Sequence, residues 1–253
     1  MALFCDTGLI FSRSLQITLR NPIWIVVGIF QPLCFFFLFA PLLEKLAGNP
    51  AFGTGSALAI FTPGLLIIVA MYGCAFVGFG MIDDIRSGVI ERFRVTPINR
   101  VALLLGRTAR DVFILVIQSI FILILAVLFG LSAPLLGMII SFGLVILVGF
   151  SFSVASYSAA MILQSEDSMA PLVNFFLLPA QLLAGFTLPL TFAPGWLQKV
   201  AWFNPLSHAV AAARALFIGA YSDTAILRGF GAMVLVALIA LYLSANLFKK
   251  SAE

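Results

Sequence analysis

The chain has 253 residues, 62% of them hydrophobic and only 9% charged, with a formal charge of +4. No water-soluble core of that size hides so much apolar surface, so the solvent is a bilayer and a free globular enzyme is excluded. The basic balance (pI ≈ 9.2) belongs to the connections between apolar runs, and no nucleic-acid partner is implied by it.

Residues 3–20 mix Leu9, Ile10, Phe11, Leu15, Ile17 and Leu19 with Arg13 and Arg20, the pattern of a helix lying in the membrane interface. A hydrocarbon layer about 30 Å thick takes roughly 20 apolar residues in a helix. Six charge-free runs of that kind follow, at 23–43, 57–82, 112–131, 134–163, 169–190 and 229–248. They are continuously apolar, without the alternation of membrane strands, so the expected fold is an all-α membrane protein with six transmembrane helices. The first run starts too late and is too long for the h-region of a signal peptide, so it reads as a retained span. Residues 1–253 read as a single transmembrane domain.

Between the second and third runs lies an arginine-rich connection, 86–110, with Arg86, Arg92, Arg94, Arg100, Arg107 and Arg110. With both termini on the same side as this connection, ten of the fourteen basic residues fall there, leaving Lys45, Lys199, Arg214 and Arg228 opposite. The positive-inside rule makes that side cytoplasmic. Within the connection, 88–95 is predicted to form a short surface helix. Val89, Ile90 and Phe93 lie on one side of it, Glu91, Arg92 and Arg94 around the other, and it stops before Pro97. Topological anchoring alone accounts for Arg100, Arg107 and Arg110. It accounts less well for Gly88, Glu91 and Pro97 at fixed offsets.

The acidic residues fall at span ends. Asp83 and Asp84 are expected to pair with nearby arginines, and Asp167 and Ser168 to cap a helix starting near Pro171. No ionisable group is expected near the midplane, which argues against a proton-driven carrier. The sequence has no Gly-x4-Gly-Lys-Ser/Thr phosphate loop, no Gly-x-Ser-x-Gly elbow and no His-Glu-x-x-His zinc helix. The cysteines Cys5, Cys34 and Cys74 and the lone His208 imply no disulfide or metal site. Asn174 and Gln181, seven apart, share a face of the fifth run, where they line either a path or a dimer seam; interhelical hydrogen bonding is the alternative.

Residues 192–221 are too apolar for a free loop and too short to span. They are expected to form two short helices dipping into the outer leaflet, broken at Asn204-Pro205. Trp196 and Trp202 fit either a gate or an aromatic interfacial anchor. His208 and Arg214 are expected to satisfy headgroups or helix ends rather than to bind substrate.

The sequence Arg86-x-Gly88-x-x-Glu91-Arg92-x-x-x-Thr96-Pro97-x-x-Arg100, continuing into Leu104-Leu105-Gly106-Arg107, resembles the connection between the second and third spans of type-2 ATP-binding-cassette (ABC) export permeases. The similarity is to the daunorubicin-resistance and nodulation-factor export branch. A second block, Ala184-Gly185-Phe186-x-x-Pro189, then Pro194-x-Trp196-Leu197 and Asn204-Pro205-Leu206-x-His208-x5-Arg214, resembles that family's stretch between the fifth and sixth spans. Phe186 departs from the pattern, where a smaller residue is more usual, and looser packing is expected there. The resemblance covers nearly the whole chain.

It implies a permease subunit in the cell inner (plasma) membrane that pairs with a second permease copy or a paralogue, surrounded by membrane lipids. A separate cytoplasmic ABC ATPase would carry ATP and Mg, with no cofactor in this chain. Residues 88–95 would be the coupling helix, framed by Arg86, Gly88 and Pro97, with Glu91, Arg92 and Arg94 contacting the ATPase and Phe93 or Ile90 as apolar anchor. Trp196, Asn204, Pro205, His208 and Arg214 would belong to an outer gate. The cargo would be a hydrophobic or amphipathic drug, lipid or glycoconjugate. The alternatives are a secondary carrier or channel working without an ATPase, and a membrane scaffold.

Overall fold

The computed structural model describes residues 2–20, 23–47, 57–89, 100–186 and 190–250. Among these residues the regular structure is helical throughout. Helix α1 (Ala2–Arg20) is followed by α2 (Ile23–Ala47), α3 (Ala57–Ala75) and α4 (Gly78–Arg86). Then come α5 (Arg100–Leu128), α6 (Leu135–Leu163) and α7 (Glu166–Leu182). A 3₁₀ turn at Leu190–Phe192 leads to α8 (Gly195–Trp202), α9 (Pro205–Phe217) and α10 (Thr224–Lys250).

Four segments are long and apolar enough to cross a bilayer unaided: Leu58–Arg86, Val101–Leu128, Leu135–Leu163 and Thr224–Ser244. They correspond to the predicted second, third, fourth and sixth runs. Helix α2, the predicted first span, has 25 residues with Pro32 and Pro41 inside it. The predicted fifth span, 169–190, is corrected. Helix α7 begins at Glu166 and ends at Leu182, 17 residues in all, or roughly 25 Å. Its start is set by Ser165, extended at φ −138°, with Glu166 and Asp167 in the first turn, where negative charge meets the positive end of the helix dipole. Asp167 and Ser168 therefore lie inside the helix and do not cap it, and Pro171 is an interior residue. The predicted third span is also extended, because α5 starts at Arg100 and carries Arg107 and Arg110 on the helix, not in a loop.

Helix α3 is the centre of the bundle. Every residue from Phe61 to Met71 is buried, as expected for a helix apolar on all sides with neighbours on all sides. Helices α2, α5, α6 and α9 pack around it. The amphipathic α1 lies along α5, with Ile10 buried and the Phe11 ring edge-on to Phe113 at 5.8 Å. Its other face leaves Phe4, Leu9, Ile17 and Leu19 exposed, which is what an interfacial helix offers to lipid.

Close backbone approaches fix how α9 and α10 sit. A Cβ on Gly229 of α10 would stand 2.5 Å from Ala212 Cβ and 2.7 Å from His208 O, whereas Gly231 has open space around it. Small residues at such crossings are the ordinary means of packing helices where lipid supplies no hydrophobic drive. Gly229→Val is therefore expected to lower stability in detergent by about 1–3 kcal/mol, the scale of overpacking against backbone. Gly231→Val should leave it unchanged, and thermal unfolding of the two purified variants is the comparison that decides.

Candidate functional site

Two polar constellations occupy opposite ends of the bundle. The first lies where α4 runs out into the arginine-rich connection. Asp84 on α4 meets Arg107 on α5, Oδ2 to Nη2 at 2.6 Å, and the same guanidinium donates to Met81 Sδ at 3.1 Å. The expected pairing of Asp84 with a nearby arginine is thus present. Arg107 is 8% exposed, so this is no loose surface pair, and removing one partner would strand a buried charge.

A second ion pair lies one turn further along α5. Arg110 Nε stands 3.0 Å from Asp111 Oδ1. The Asp111 carboxylate also accepts from Tyr157 Oη at 2.6 Å and Ser153 Oγ at 2.8 Å, both on α6. Arg110 in turn donates to Thr18 Oγ1 of α1 at 2.9 Å. One arginine and one aspartate thereby tie α1, α5 and α6 together. In the sequence Asp111 is one more acidic residue at a span end, and its partners Ser153 and Tyr157 lie more than forty residues further along the chain. The only signal available was a carboxylate beside an arginine at the start of an apolar run.

Arg86 closes α4 and pairs with Glu166, the first residue of α7, at 3.5 Å. Both side chains are about half exposed, so this contact orients more than it stabilises. Gly88 follows at φ +72°, a left-handed conformation that any other residue would adopt only under strain. The connection therefore leaves α4 through a turn built for glycine. Glu91, Arg92, Phe93, Arg94 and Pro97, the remainder of the predicted coupling helix, lie outside the described residues.

The opposite end is organised by Arg214 of α9. Its Nε donates to Ile60 O at 3.0 Å, and Nη2 donates to Gly185 O at 2.7 Å and Phe186 O at 2.9 Å. These carbonyls belong to the first turn of α3 and to the turn after α7, so one fork joins three elements. The expectation that Arg214 satisfies a helix end is met by protein carbonyls. Burial lowers its pKa to about 10, which leaves the guanidinium charged at neutral pH. Looser packing at Phe186 does not follow. Its ring is buried edge-on to Phe35 at 6.2 Å, and a Cβ on Gly64 would lie 2.5 Å from Phe186 O.

The break predicted at Asn204-Pro205 is present. Asn204 Oδ1 accepts from Leu206 N at 3.1 Å and caps α9, while its Nδ2 donates to Ala180 O on α7 at 2.7 Å. Pro205 occupies the first turn, where its missing N–H is no loss. His208 Nε2 lies 2.7 Å from Trp202 O, fastening α9 to α8, and Trp196 and Trp202 are exposed. The two polar residues of α7 diverge. The Tyr72 hydroxyl donates to Gln181 Oε1 across helices, whereas Asn174 is exposed and donates to Ala170 O on its own helix at 2.9 Å.

Residues 6–218 match the family described as ABC-2 type transporter. The putative transport permease ycf38 of Cyanophora paradoxa is 28% identical over 200 residues, covering 78% of this chain and 69% of that protein. The daunorubicin resistance ABC transporter permease protein DrrB1 of Streptomyces coeruleorubidus is 28% identical over 210 residues, 82% of this chain and 73% of that one. The probable doxorubicin resistance ABC transporter permease protein DrrC of Mycobacterium tuberculosis is 23% identical over 218 residues, 82% and 75% of the two chains. The chain belongs to the ABC-2 type transporter family. It is a multi-pass membrane transport subunit and not itself an enzyme.

Arg214→Lys should lower the unfolding free energy by roughly 2 kcal/mol or more, because an ammonium cannot fork to three carbonyls and leaves some of them unmet. A folded pKa lowered to about 10 means the folded state holds that proton less tightly than the unfolded chain. The wild-type contribution is then flat through neutral pH, and any change appears only as a stability gain toward the alkaline end. Thermal unfolding of both proteins at several pH values measures each expectation.

Proposed function

We propose that this chain is the permease subunit of an ATP-driven exporter. It has six transmembrane helices, with α2 and α7 as the first and fifth, and both termini on the cytoplasmic side of the inner (plasma) membrane. A separate ABC ATPase, carrying ATP and Mg, binds the arginine-rich connection, and two permease copies or paralogues assemble with two ATPase subunits. The cargo is hydrophobic or amphipathic. The drug-resistance names of relatives and the apolar spans support that class over a free ion.

The observation that carries this reading is the anchoring of the connection at both ends. On entry, Asp84 and Arg86 tie α4 to α5 and α7. On exit, the connection becomes α5 itself, whose Arg107 and Arg110 are fastened into the bundle. A segment held this way transmits a push from a cytoplasmic partner, whereas one on slack ends would absorb it. In this reading Glu91, Arg92 and Arg94 supply charged contacts and Phe93 an apolar anchor. Trp196, Asn204, Pro205, His208 and Arg214 form the outer mouth, and Asn174 faces a path or the second copy.

Glu91→Lys combined with Arg92→Glu should abolish or sharply weaken co-purification of the partner ATPase, with membrane insertion unchanged. Undiminished binding and transport in that double variant would remove the coupling assignment. Purified alone, the chain should hydrolyse no ATP above background.

The outer-mouth assignment has its own test. Ser207 is buried, with its hydroxyl bonded to Ala201 O and Asn204 O, so the exposed Gln198 is the better reporter. Once Cys5, Cys34 and Cys74 are replaced, Gln198→Cys should react with a membrane-impermeant thiol reagent from outside the cell. Labelling only from the cytoplasmic side would overturn the proposed topology.

A further inference from the structure

The hydrogen-bond ladder of the second span is interrupted at Phe76 and Val77, between α3 and α4. Phe79 N–H turns to Phe76 O at 3.2 Å, the tight spacing of a 3₁₀ turn, so it is not committed to the carbonyl of Ala75 four residues back. In hydrocarbon no water can answer a carbonyl or amide released in this way.

Both groups are answered by one side chain from another helix. Ser156 of α6 donates its hydroxyl to Ala75 O at 2.6 Å and accepts from Gly78 N at 2.9 Å. The geometry allows no larger residue at position 78, where a Cβ would stand 2.5 Å from Ser156 O, a backbone atom. At the capping position itself stands Val77, whose side chain offers no cap and whose dihedrals stay helical at φ −64°, ψ −22°. The hydrogen bonding is therefore interrupted while the direction of the chain is kept. On the other side of the break the rings of Tyr72, Phe76 and Phe79 stack in sequence at 6.4 and 6.0 Å, which bridges the gap without fixing it covalently. Beyond it, α4 is a nine-residue rod gripped at its far end by Asp84–Arg107 and Arg86–Glu166.

We propose that Ser156 is a positioning residue that caps α4 from a neighbouring helix. It makes the Phe76–Val77 break a permanent pivot about which α4 moves as a lever between the buried α3 and the arginine-rich connection. The lever's purpose rests on the reading that this connection binds an ATPase; the pivot itself does not. A continuous helix would have to break backbone hydrogen bonds in hydrocarbon each time it bent. Here the two bonds concerned are already handed to a hydroxyl, whose single rotor can follow a small change of angle.

The test is hydrogen–deuterium exchange on the full-length permease in lipid nanodiscs, first alone and then with its ATPase. In the isolated protein, Ser156→Ala removes both bonds and should speed exchange in peptides covering 76–86 by about tenfold or more, the scale set by losing the partner of a buried amide, with 57–75 unchanged. Ser156→Thr, which keeps the hydroxyl, should restore wild-type exchange. Ser151→Ala, on the same helix but bonded only to its own Leu147 O, should not alter it. Unchanged exchange in Ser156→Ala, or acceleration spread equally over α3, would overturn the pivot.

With the ATPase bound and nucleotide trapped, exchange should change in 76–86 and not in 57–75 of the wild type. Ser156→Ala should retain the ATPase but lose that nucleotide response. A complex that forms yet shows no response at 76–86 would overturn the lever and leave the ATPase reading intact. Failure of the ATPase to bind at all would overturn that reading, and the pivot would then stand or fall on the isolated-chain result.

Discussion

A backbone carbonyl or amide in hydrocarbon must find its partner within the protein, and the structure depends on how that requirement is met wherever a helix stops short. Regular helices meet it along their own ladders. The exceptions are the break at Phe76–Val77, the end of α7 and the start of α9. The first two are met by a polar side chain from another helix, Ser156 and Arg214, and the third by Asn204, the residue just before α9. These residues permit the departures from a plain bundle of spanning helices. A helix of 17 residues such as α7 is tolerable beside lipid because the carbonyls past its end are taken by a guanidinium, and α9 can lie buried among longer helices because its first turn is capped.

The arginines divide by the same logic. A charge inside a membrane protein is retained only where a partner or a bundle of acceptors compensates its desolvation. Arg107 has Asp84, Arg110 has Asp111, and Arg214 has three carbonyls. Arg86 sits near water, and its contact with Glu166 is correspondingly long and exposed. Positive-inside counting treats Arg86, Arg107 and Arg110 alike, whereas the structure gives Arg107 and Arg110 fixed positions in the bundle. Orientation and architecture draw on the same side chains.

What the sequence disclosed follows from the range of the interactions involved. The long apolar runs, the amphipathic first helix and the break before Pro205 are local, set by hydropathy, periodicity and a missing N–H, and all were legible. The end of α7 was not. Residues 183–190 are as apolar as the helix before them, and what holds the turn is Arg214, far along the chain. The break at Phe76–Val77 was hidden for the same reason, since its cap belongs to another helix. The spacing of Asn174 and Gln181 put them on one helix with matching chemistry, but it could not separate them. Tyr72 stands opposite Gln181 alone, and Asn174 turns back on its own backbone.

The two ends of the bundle differ in their ion pairs, and this bears on how a transporter of this kind can move. At the arginine-rich end, ion pairs and hydroxyls hold the helices, and such contacts can be exchanged or lengthened with the geometry of their partners changing gradually. At the opposite end, backbone is packed directly on backbone at Gly64 under Phe186, Gly137 under Leu216 and Gly229 under His208; nearer the arginine-rich end Gly78 lies as close under Ser156, and Gly106 nearly so under Thr7. Close-packed contacts of that sort resist sliding, because a displacement of a fraction of an ångström already meets repulsion or opens a void. A push delivered at the arginine-rich end would then be taken up where the hydrogen-bond ladder is already interrupted, at Phe76–Val77, as a rotation about the close Gly78–Ser156 contact and not as a slide past it. The tightly packed α3 and α9 would move as one body with the turn that Arg214 grips. Motion at the far mouth would therefore take the form of a rotation of packed groups, with little rearrangement inside them.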